Sequence, residues 1–171
     1  MLDIACATGA QCRALGRAGL RTTGLDLSEA MIQAASGKGG RNVHYAQGSA
    51  YDLPFKDGSF DAAVLSLALH EHSEDERQVM VREALRVIRP SGHLILADYT
   101  KPRWAPVHLP WQLIRLVEWI AGPEHYAGFR DYVHRGSLRG LLHRLKLEPV
   151  SLQASHFGAI EIATCQLRKQ A

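Results

Sequence analysis

The chain is poor in cysteine, in net charge and in long apolar runs, and each shortage excludes a class of protein. Its three cysteines, Cys6, Cys12 and Cys165, have no metal-ligand spacing, and their odd number argues against a disulfide framework. The most apolar segment, residues 107–121, is interrupted by proline and charged residues, which excludes a membrane-spanning helix. We therefore expect a cytoplasmic protein with no metal site and no secretory signal.

The net charge of +3 is too small to indicate a nucleic-acid-binding protein, because such a surface needs a dense basic cluster with exposed aromatic residues. We expect no nucleic-acid partner. A solvated basic face is the default interpretation of the excess, and an anionic substrate or a peripheral contact with an anionic membrane surface stays open. The excess lies in the C-terminal part of the chain, at Arg103, Arg115, Arg130, Arg135, Arg139, Arg144 and Lys146.

Strand-like and helix-like segments alternate along the 171 residues, which predicts a single α/β domain with a parallel sheet. After a strand that opens the chain, strands are predicted at 21–26, 42–47, 60–65, 93–98, 148–153 and 159–167, the last two as an antiparallel pair, and helices at 10–18, 28–35, 74–88 and 136–145.

The segment 74–88 has the periodicity of an amphipathic helix, and the turn-forming residues 89–92 are expected to end it. The predicted buried face holds Val79, Met80, Ala84, Leu85 and Ile88, and the predicted solvent face holds Glu76, Arg77, Arg82, Glu83 and Arg86.

Small residues follow the first strand. Ala5, Ala7 and Gly9 leave the backbone N–H groups of this turn accessible, as a nucleotide-type pocket requires. A tight turn between a strand and a helix explains these residues equally well, so the rest of the chain has to decide.

Five motifs in order supply that decision, at residues 2–9, 24–31, 48–55, 59–61 and 83–92. With them the chain resembles the class I S-adenosylmethionine-dependent methyltransferases, in the branch that includes the ubiquinone and menaquinone biosynthesis enzymes. The resemblance covers residues 1 to about 100 well and the remainder loosely.

The resemblance implies a Rossmann-like, seven-stranded α/β sheet of order 3-2-1-4-5-7-6, with an antiparallel last strand and helices on both faces. It implies a cofactor-binding half at 1–100, a lid or acceptor-site insertion at 101–135 and a closing helix and strand pair at 136–171. The helices that usually precede the first strand are expected to be missing. A homodimer is therefore one expected means of covering an open cofactor cleft.

The resemblance also implies which residues bind S-adenosylmethionine. Asp3 is expected near the cationic amino group, and Asp26 at the ribose hydroxyls. The family usually has glycine where this chain has Ala5 and Ala7, and aspartate where it has Ser49, which shifts or weakens binding. The other expected cofactor residues are Cys6 and Gly9 in the first turn, Leu27 and Met31 beside adenine, Ser49, Ala50, Tyr51 and Asp52 at the adenine edge, and Ser66 after the fourth strand.

Methyl transfer from a sulfonium needs a base only when the acceptor must lose a proton. His70 and His72 are the candidate bases for a phenol or enol, and Glu71 either orients them or acts itself. A metal site and structural or surface histidines are the competing interpretations of this His-x-His pair. Apolar residues of the following segment are expected either to wall a lipophilic acceptor or to pack in the core: Leu109, Trp111, Leu113, Ile114, Leu116, Val117 and Trp119, with Trp104 before them.

Three functions stay open at this point. The first is an S-adenosylmethionine-dependent methyltransferase acting on a small, lipophilic or aromatic acceptor. The second is a non-catalytic or truncated protein of the same fold that serves as a binding or scaffold subunit. The third is a nicotinamide-dependent oxidoreductase, although of positions 5, 7 and 9 only Gly9 is glycine.

Overall fold

The chain divides into two compact units in a computed structural model that describes residues 1–102 and 108–167. Unit 1 contains residues 1–66, 79–95 and 166–167, and unit 2 contains residues 67–78 and 96–165. Arg103 and Trp104, which the sequence analysis singled out, lie outside the described residues.

The described residues form seven strands and six α-helices. The strands are β1 Leu2–Ile4, β2 Thr22–Asp26, β3 Val43–Gln47, β4 Phe60–Ser66, β5 Ile88–Tyr99, β6 Ser151–Ser155 and β7 Ile160–Gln166, and the helices are α1 Ala10–Arg17, α2 Glu29–Gly37, α3 Glu74–Val87, α4 Leu109–Ala121, α5 Pro123–His134 and α6 Ser137–Arg144.

The strands are ordered β3-β2-β1-β4-β5-β7-β6, which confirms the predicted sheet and the Rossmann-like fold class. Strand β1 pairs in parallel with β2 and β4, β2 pairs in parallel with β3, and β6 and β7 form the expected antiparallel pair. Ile4 aligns with both Leu25 and Leu65, and Asp26 aligns with Gln47. The carboxyl ends of the first four strands therefore meet at one edge of the sheet.

Strand β1 lies inside the sheet, between β2 and β4, and its side chains are shielded from water. Leu2, Ile4, Leu25 and Leu65 are each 0% exposed, as expected for parallel strands that are buried on both faces. Beside them, Gly24 allows close packing, since a Cβ there would lie 2.7 Å from the Cys12 sulfur. These short apolar strands are therefore held in the core, and the turns that follow them project from one edge of the sheet.

The prediction for the two faces of α3 is wrong at two positions. Arg77 is 0% exposed instead of facing solvent, and Val79 is 38% exposed instead of buried. The burial of Arg77 is compensated because every part of its guanidinium has a partner. Its Nε donates to the Leu69 carbonyl at 2.9 Å, its second terminal nitrogen donates to the Gly128 carbonyl at 2.9 Å, and the first reaches the Asp131 carboxylate at 2.8 Å.

The predicted turn at residues 89–92 does not separate α3 from the next strand, because β5 begins at Ile88. The turn residues survive as a bend near the start of that strand. Ser91 has a φ of 69°, and a Cβ on Gly92 would overlap the side chain of Ile88. The turn signal therefore marked a real distortion but placed the strand boundary too late.

Replacing Arg77 with alanine should lower the free energy of unfolding by about 3–5 kcal/mol, because the buried carbonyls of Leu69 and Gly128 would lose their donor. Urea denaturation followed by circular dichroism measures this. Arg82→Ala, at an exposed arginine of the same helix, is the matched control and should change stability by less than about 0.5 kcal/mol. Equal effects of the two changes would show that the Arg77 contacts contribute nothing.

Candidate functional site

The turn after β1 holds three residues in the left-handed backbone region. The φ angles are 58° at Ala5, 45° at Ala7 and 70° at Gly9. Glycine adopts these angles without strain, whereas an alanine there costs about 1–2 kcal/mol. The sequence departs from glycine at the two alanines, yet the backbone keeps the geometry that glycine would favour.

Gly9 is the one position of this turn where no side chain fits. A Cβ there would overlap the Tyr45 ring, whose hydroxyl donates to the Gly9 carbonyl at 3.3 Å. Helix α1 then begins at Ala10, and the Arg13 amide donates to the Gly9 carbonyl at 3.0 Å. The close approach of β3 to this turn explains why glycine is retained at residue 9 and alanine is tolerated earlier.

Asp26, at the carboxyl end of β2, connects the segments that follow three strands. Its carboxylate accepts the amide N–H of Ala7 at 2.8 Å and that of Ser28 at 2.9 Å. Its backbone carbonyl accepts the N–H of Gly48 at 3.0 Å, which brings the loop after β3 to the same place. A carboxylate oxygen has two lone pairs, so each oxygen keeps acceptor capacity for a ligand hydroxyl.

Asp3 is buried in β1, 2% exposed, with the Cys12 thiol donating to its carboxylate at 3.0 Å. Burial raises its pKa from the usual 3.8 to about 6; the thiol opposes this rise, and the negative charge of Asp26 adds to it. Two carboxylates that repel each other at a strand edge favour a cationic ligand between or beside them. Cys12 was not among the predicted site residues, and its spacing from Asp3 carries no recognisable signal.

The residues expected around adenine are in unit 1, on the turns and helix that follow β2 and β3. Leu27 and Met31 are 67% and 39% exposed, so neither is committed to the protein core. The Ser49 hydroxyl accepts the N–H of Tyr51 at 3.1 Å and so shapes its own loop. Ala50 lies in the same loop, Cys6 is buried below the first turn, and Ser66 ends β4.

Unit 2 carries a buried acid–imidazole cluster around His70. The His70 Nδ1 lies 2.7 Å from the Asp98 carboxylate, which also accepts the backbone N–H groups of Leu69 and Tyr99. The His70 Nε2 lies 3.7 Å from the nearer carboxylate oxygen of Glu71 and 3.6 Å from that of Glu118. Asp98 therefore fixes the ring, and the other nitrogen faces two carboxylates.

The opposite side of this cluster is incompletely hydrogen-bonded. Glu118 is 4% exposed, and its Oε2 and the His125 Nδ1, 3.6 Å apart, are both buried atoms without a hydrogen-bond partner. The other nitrogen of His125 lies 3.7 Å from Glu71. Sequence reasoning missed Asp98 and Glu118 as cluster members. The available signals were an acid near the end of β5 and an acid within an otherwise apolar helix.

The environments of His70 and His72 shift their pKa values in opposite directions. Burial acts to lower the pKa of His70, but the hydrogen bond and charge of Asp98, with the charges of Glu118 and Glu71, raise it. Burial lowers the pKa of His72, and the carboxylates of Glu76 and Glu71 offset that only in part. Near pH 7 the ring of His72 is therefore neutral, whereas the raised pKa of His70 favours its cationic form.

The apolar residues of α4 that were expected to wall an acceptor mostly face solvent. Trp111 is buried against Phe129, with ring centroids 5.6 Å apart, and Ile114 packs at the edge of the same cluster. The other five are exposed: Leu109, Leu113, Leu116, Val117 and Trp119.

Within residues 1–102 and 108–167, no three His, Cys, Asp or Glu side chains are grouped so that they could hold a metal ion. None of the helices in these residues has both the length and the apolar character that spanning a bilayer requires.

Residues 2–96 match the family model of a methyltransferase domain. The chain belongs to this methyltransferase family. Family membership confirms the resemblance inferred from the five motifs, and it leaves the nicotinamide-dependent alternative without support. The match begins at β1 and ends within β5.

Relatives of this methyltransferase are found among curated bacterial proteins. The chain is 34% identical over 155 residues to a demethylmenaquinone methyltransferase of Beutenbergia cavernae, covering 84% of this chain and 63% of that protein. It is 30% identical over 174 residues to the enzyme of the same name from Tropheryma whipplei strain Twist, covering 95% and 72% respectively. The chain thus spans about two thirds of the length of these relatives.

Solved structures share the fold. An S-adenosylmethionine-dependent methyltransferase of Methanosarcina mazei superimposes with a TM-score of 0.73 at 20% identity, covering 99% of this chain and 92% of that one. A magnesium protoporphyrin IX methyltransferase of Synechocystis PCC 6803 with bound SAH gives 0.65 at 18% identity, covering 97% and 73%. At these identities the likeness supports the fold alone.

Asp26→Ala should raise the dissociation constant for S-adenosylhomocysteine about 100-fold or more, because hydrogen bonds to a charged acceptor contribute about 1.5–3 kcal/mol each. Isothermal calorimetry measures this affinity, and a melting curve checks that the turn held by Asp26 still folds. The matched control is Asp57→Ala, which removes an exposed aspartate of the same unit and should leave the affinity unchanged. Unaltered binding by Asp26→Ala would exclude Asp26 as the ribose ligand.

Asp3→Asn should stabilise the ligand-free protein by about 3 kcal/mol at pH 7, because the pKa of about 6 makes folding favour the protonated acid. In the unmodified chain, the contribution of Asp3 to the free energy of unfolding falls as the pH rises from about 4 to about 6.

Asp3→Asn should also bind the cationic cofactor at least about tenfold more weakly, since an ion pair is lost. Thermal melting across this pH range measures the stability, and calorimetry measures the cofactor affinity. A variant less stable than the parent at pH 7 would contradict the raised pKa of Asp3.

Proposed function

We propose that this methyltransferase binds S-adenosylmethionine at the strand edge of unit 1 and transfers its methyl group to a small lipophilic or aromatic acceptor. The observation that carries this proposal is the Asp26 carboxylate, held at the end of β2 by two backbone N–H groups with acceptor capacity to spare. Carboxylates at this position of a Rossmann-like sheet bind ribose hydroxyls. Family membership through residues 2–96 supports the same function.

The charges of the site fit this cofactor. Burial raises the pKa of Asp3, and the negative charge of Asp26 adds to this rise. An ammonium group near Asp3 would stabilise its charged form. The exposed side chains of Leu27 and Met31 offer apolar contact area for a purine ring.

When bound, the cofactor supplies a methyl group on a positively charged sulfur that needs no further activation. The chain therefore has to position the reactants and exclude water. The turn formed by Ala5, Ala7 and Gly9 brings backbone close to the ligand, and Asp3 and Asp26 fix its two polar ends. The Gly48 amide keeps the loop of Ser49, Ala50 and Tyr51 beside Asp26.

We assign proton removal, which a phenol or enol acceptor requires, to the segment His70–His72. His72 is the base in this proposal because burial keeps its ring neutral near pH 7. His70 is already biased toward the cation by Asp98, Glu118 and Glu71, so it serves to position the segment. Glu71 lies within 3.7 Å of both His70 and His125 and orients the cluster.

The acceptor class follows from the relatives named above. Both are called demethylmenaquinone methyltransferases, so a reduced quinone with an apolar tail is the acceptor that we propose to test first. The cytoplasmic location expected from the sequence and the division into a cofactor half at 1–100 and a lid at 101–135 remain part of this proposal.

A binding or scaffold protein of the same fold is the second candidate. The left-handed alanines favour it, because each adds a methyl group and strain where a ligand approaches the backbone. The engagement of Ser49 with its own loop favours it too, since the usual carboxylate acceptor is absent.

One experiment separates the two candidates. The full chain is incubated with methyl-labelled S-adenosylmethionine and a demethylmenaquinol with a short prenyl tail, and labelled product is measured by extraction and mass spectrometry. Product formation that is lost in Asp26→Ala supports the enzyme. Cofactor binding in calorimetry without product supports the binding protein, and no binding at millimolar ligand contradicts both.

His72→Gln should lower kcat by about 10²- to 10⁴-fold, because general-base catalysis contributes that much, while cofactor affinity stays constant. The rate of the parent enzyme should rise with pH through the lowered pKa of His72 and level off near neutrality. His143→Gln, at an exposed histidine of α6, is the control. An unchanged rate and pH profile in His72→Gln would remove the base assignment.

A further inference from the structure

Helix α4 presents apolar side chains on its solvent face. With about 100° between successive residues, five of them fall in an arc of about 100° on one side of the helix. Trp111 and Glu118 lie on the opposite side and are buried. The exposed members, between 49% and 68% accessible, are Leu109, Leu113, Leu116, Val117 and Ile120, called here the α4 stripe.

The α4 stripe is not a scatter of single surface leucines. Its members recur at the spacing of one helical face, and Trp119 beside them is 64% exposed. The only acid of α4 is Glu118, which is buried on the opposite side. A continuous apolar face without acidic residues indicates a surface that another apolar phase covers.

Three cations lie at one margin of the exposed side of α4, beyond Trp119. Arg115 lies on α4 next to Trp119, and together with Lys101 and Arg130 it lines an open groove of about 880 Å³. Arg115 hydrogen-bonds only the neutral Gln112, and Arg130 lies over the Tyr126 ring, 5.9 Å from its centroid. Within residues 1–102 and 108–167, none of these three cations forms an ion pair with a carboxylate.

The acid of this groove does not neutralise them. Asp131 lines the groove too, but its carboxylate is bound by Arg77 at 2.8 Å and by Arg135 at 2.7 Å. The three cations therefore give the groove a net positive charge, and Trp119 lies between Arg115 and the α4 stripe.

We propose that the outer face of α4 docks on an anionic phospholipid bilayer. The α4 stripe enters the boundary between headgroups and acyl chains, and Lys101, Arg115 and Arg130 contact lipid phosphates. Trp119 lies at the level of the headgroups, which suits an indole ring. At 13 residues, α4 lies along the surface and does not span the bilayer.

A bilayer explains both features together. A second copy that met the α4 stripe through the same face would cover the stripe, but it would bring the cations of both copies together without compensating their charge. An anionic bilayer supplies an apolar phase and phosphates within the same few ångströms of depth. The inference does not depend on methyl transfer, so docking and catalysis can fail separately.

The test is co-sedimentation of the full chain with vesicles of phosphatidylcholine, with or without phosphatidylglycerol. The chain should bind the anionic vesicles, and salt should weaken binding. The double variant Leu113→Glu with Val117→Glu should lower the partition coefficient at least about tenfold, because two apolar side chains no longer enter the bilayer. The matched control is Leu20→Glu with Val150→Glu, which makes the same charge change at exposed apolar residues elsewhere and should bind at least about tenfold better than the stripe variant.

A second pair of variants tests the cations. Arg115→Gln and Arg130→Gln should each lower binding to anionic vesicles about fivefold and leave binding to phosphatidylcholine alone unchanged, since one headgroup contact is lost in each. A blue shift of tryptophan fluorescence on anionic vesicles should disappear in Trp119→Phe.

Three outcomes would overturn the proposal. The first is failure to bind either vesicle, and the second is equal loss of binding in the stripe variant and its matched control. The third is a dimer in analytical ultracentrifugation that the stripe variant dissociates, because the α4 stripe would then belong to an interface between copies. Melting curves of all variants confirm that they remain folded.

Discussion

The carboxylate of Asp26 is the contact on which the organisation of unit 1 depends. It accepts the amide of Ala7 from the turn after β1 and the amide of Ser28 at the start of α2. Its own carbonyl receives the amide of Gly48 from the loop after β3. Three segments therefore meet at one residue, two at its carboxylate and one at its backbone carbonyl. A ligand that binds there contacts backbone whose position is already fixed by the protein.

Unit 2 uses a buried cation in a similar way. Arg77 connects the segment before α3 with α5 by donating to the Leu69 and Gly128 carbonyls. Close by, Asp98 holds His70 and accepts backbone amides from two segments. Polar groups that are fully bonded specify geometry as well as stability, whereas the Glu118 Oε2 and the His125 Nδ1 are buried without a hydrogen-bond partner.

Local patterns predicted a parallel α/β sheet, and the family resemblance implied the strand order that the sheet adopts; the ribose contact expected at Asp26 stays a prediction. Short apolar strands, a small-residue turn and an acid at a strand end can be recognised without knowledge of distant contacts. Arg77 was placed on the wrong face of α3 for the opposite reason. A charged residue is expected at the surface unless its partners are known, and the partners of Arg77 lie on a helix about 50 residues later. The direction that α4 faces was equally undetermined, since apolar residues occur on both of its sides.

The turn after β1 keeps one backbone geometry with two different residue types. Ala5 and Ala7 adopt positive φ angles, as Gly9 does, so the loop is defined in this chain by its torsion angles. A sequence pattern written in glycines would not detect it. A β-branched residue at either alanine would have to adopt the same angles with far greater strain, so these two positions disfavour valine, isoleucine and threonine even where space would allow them.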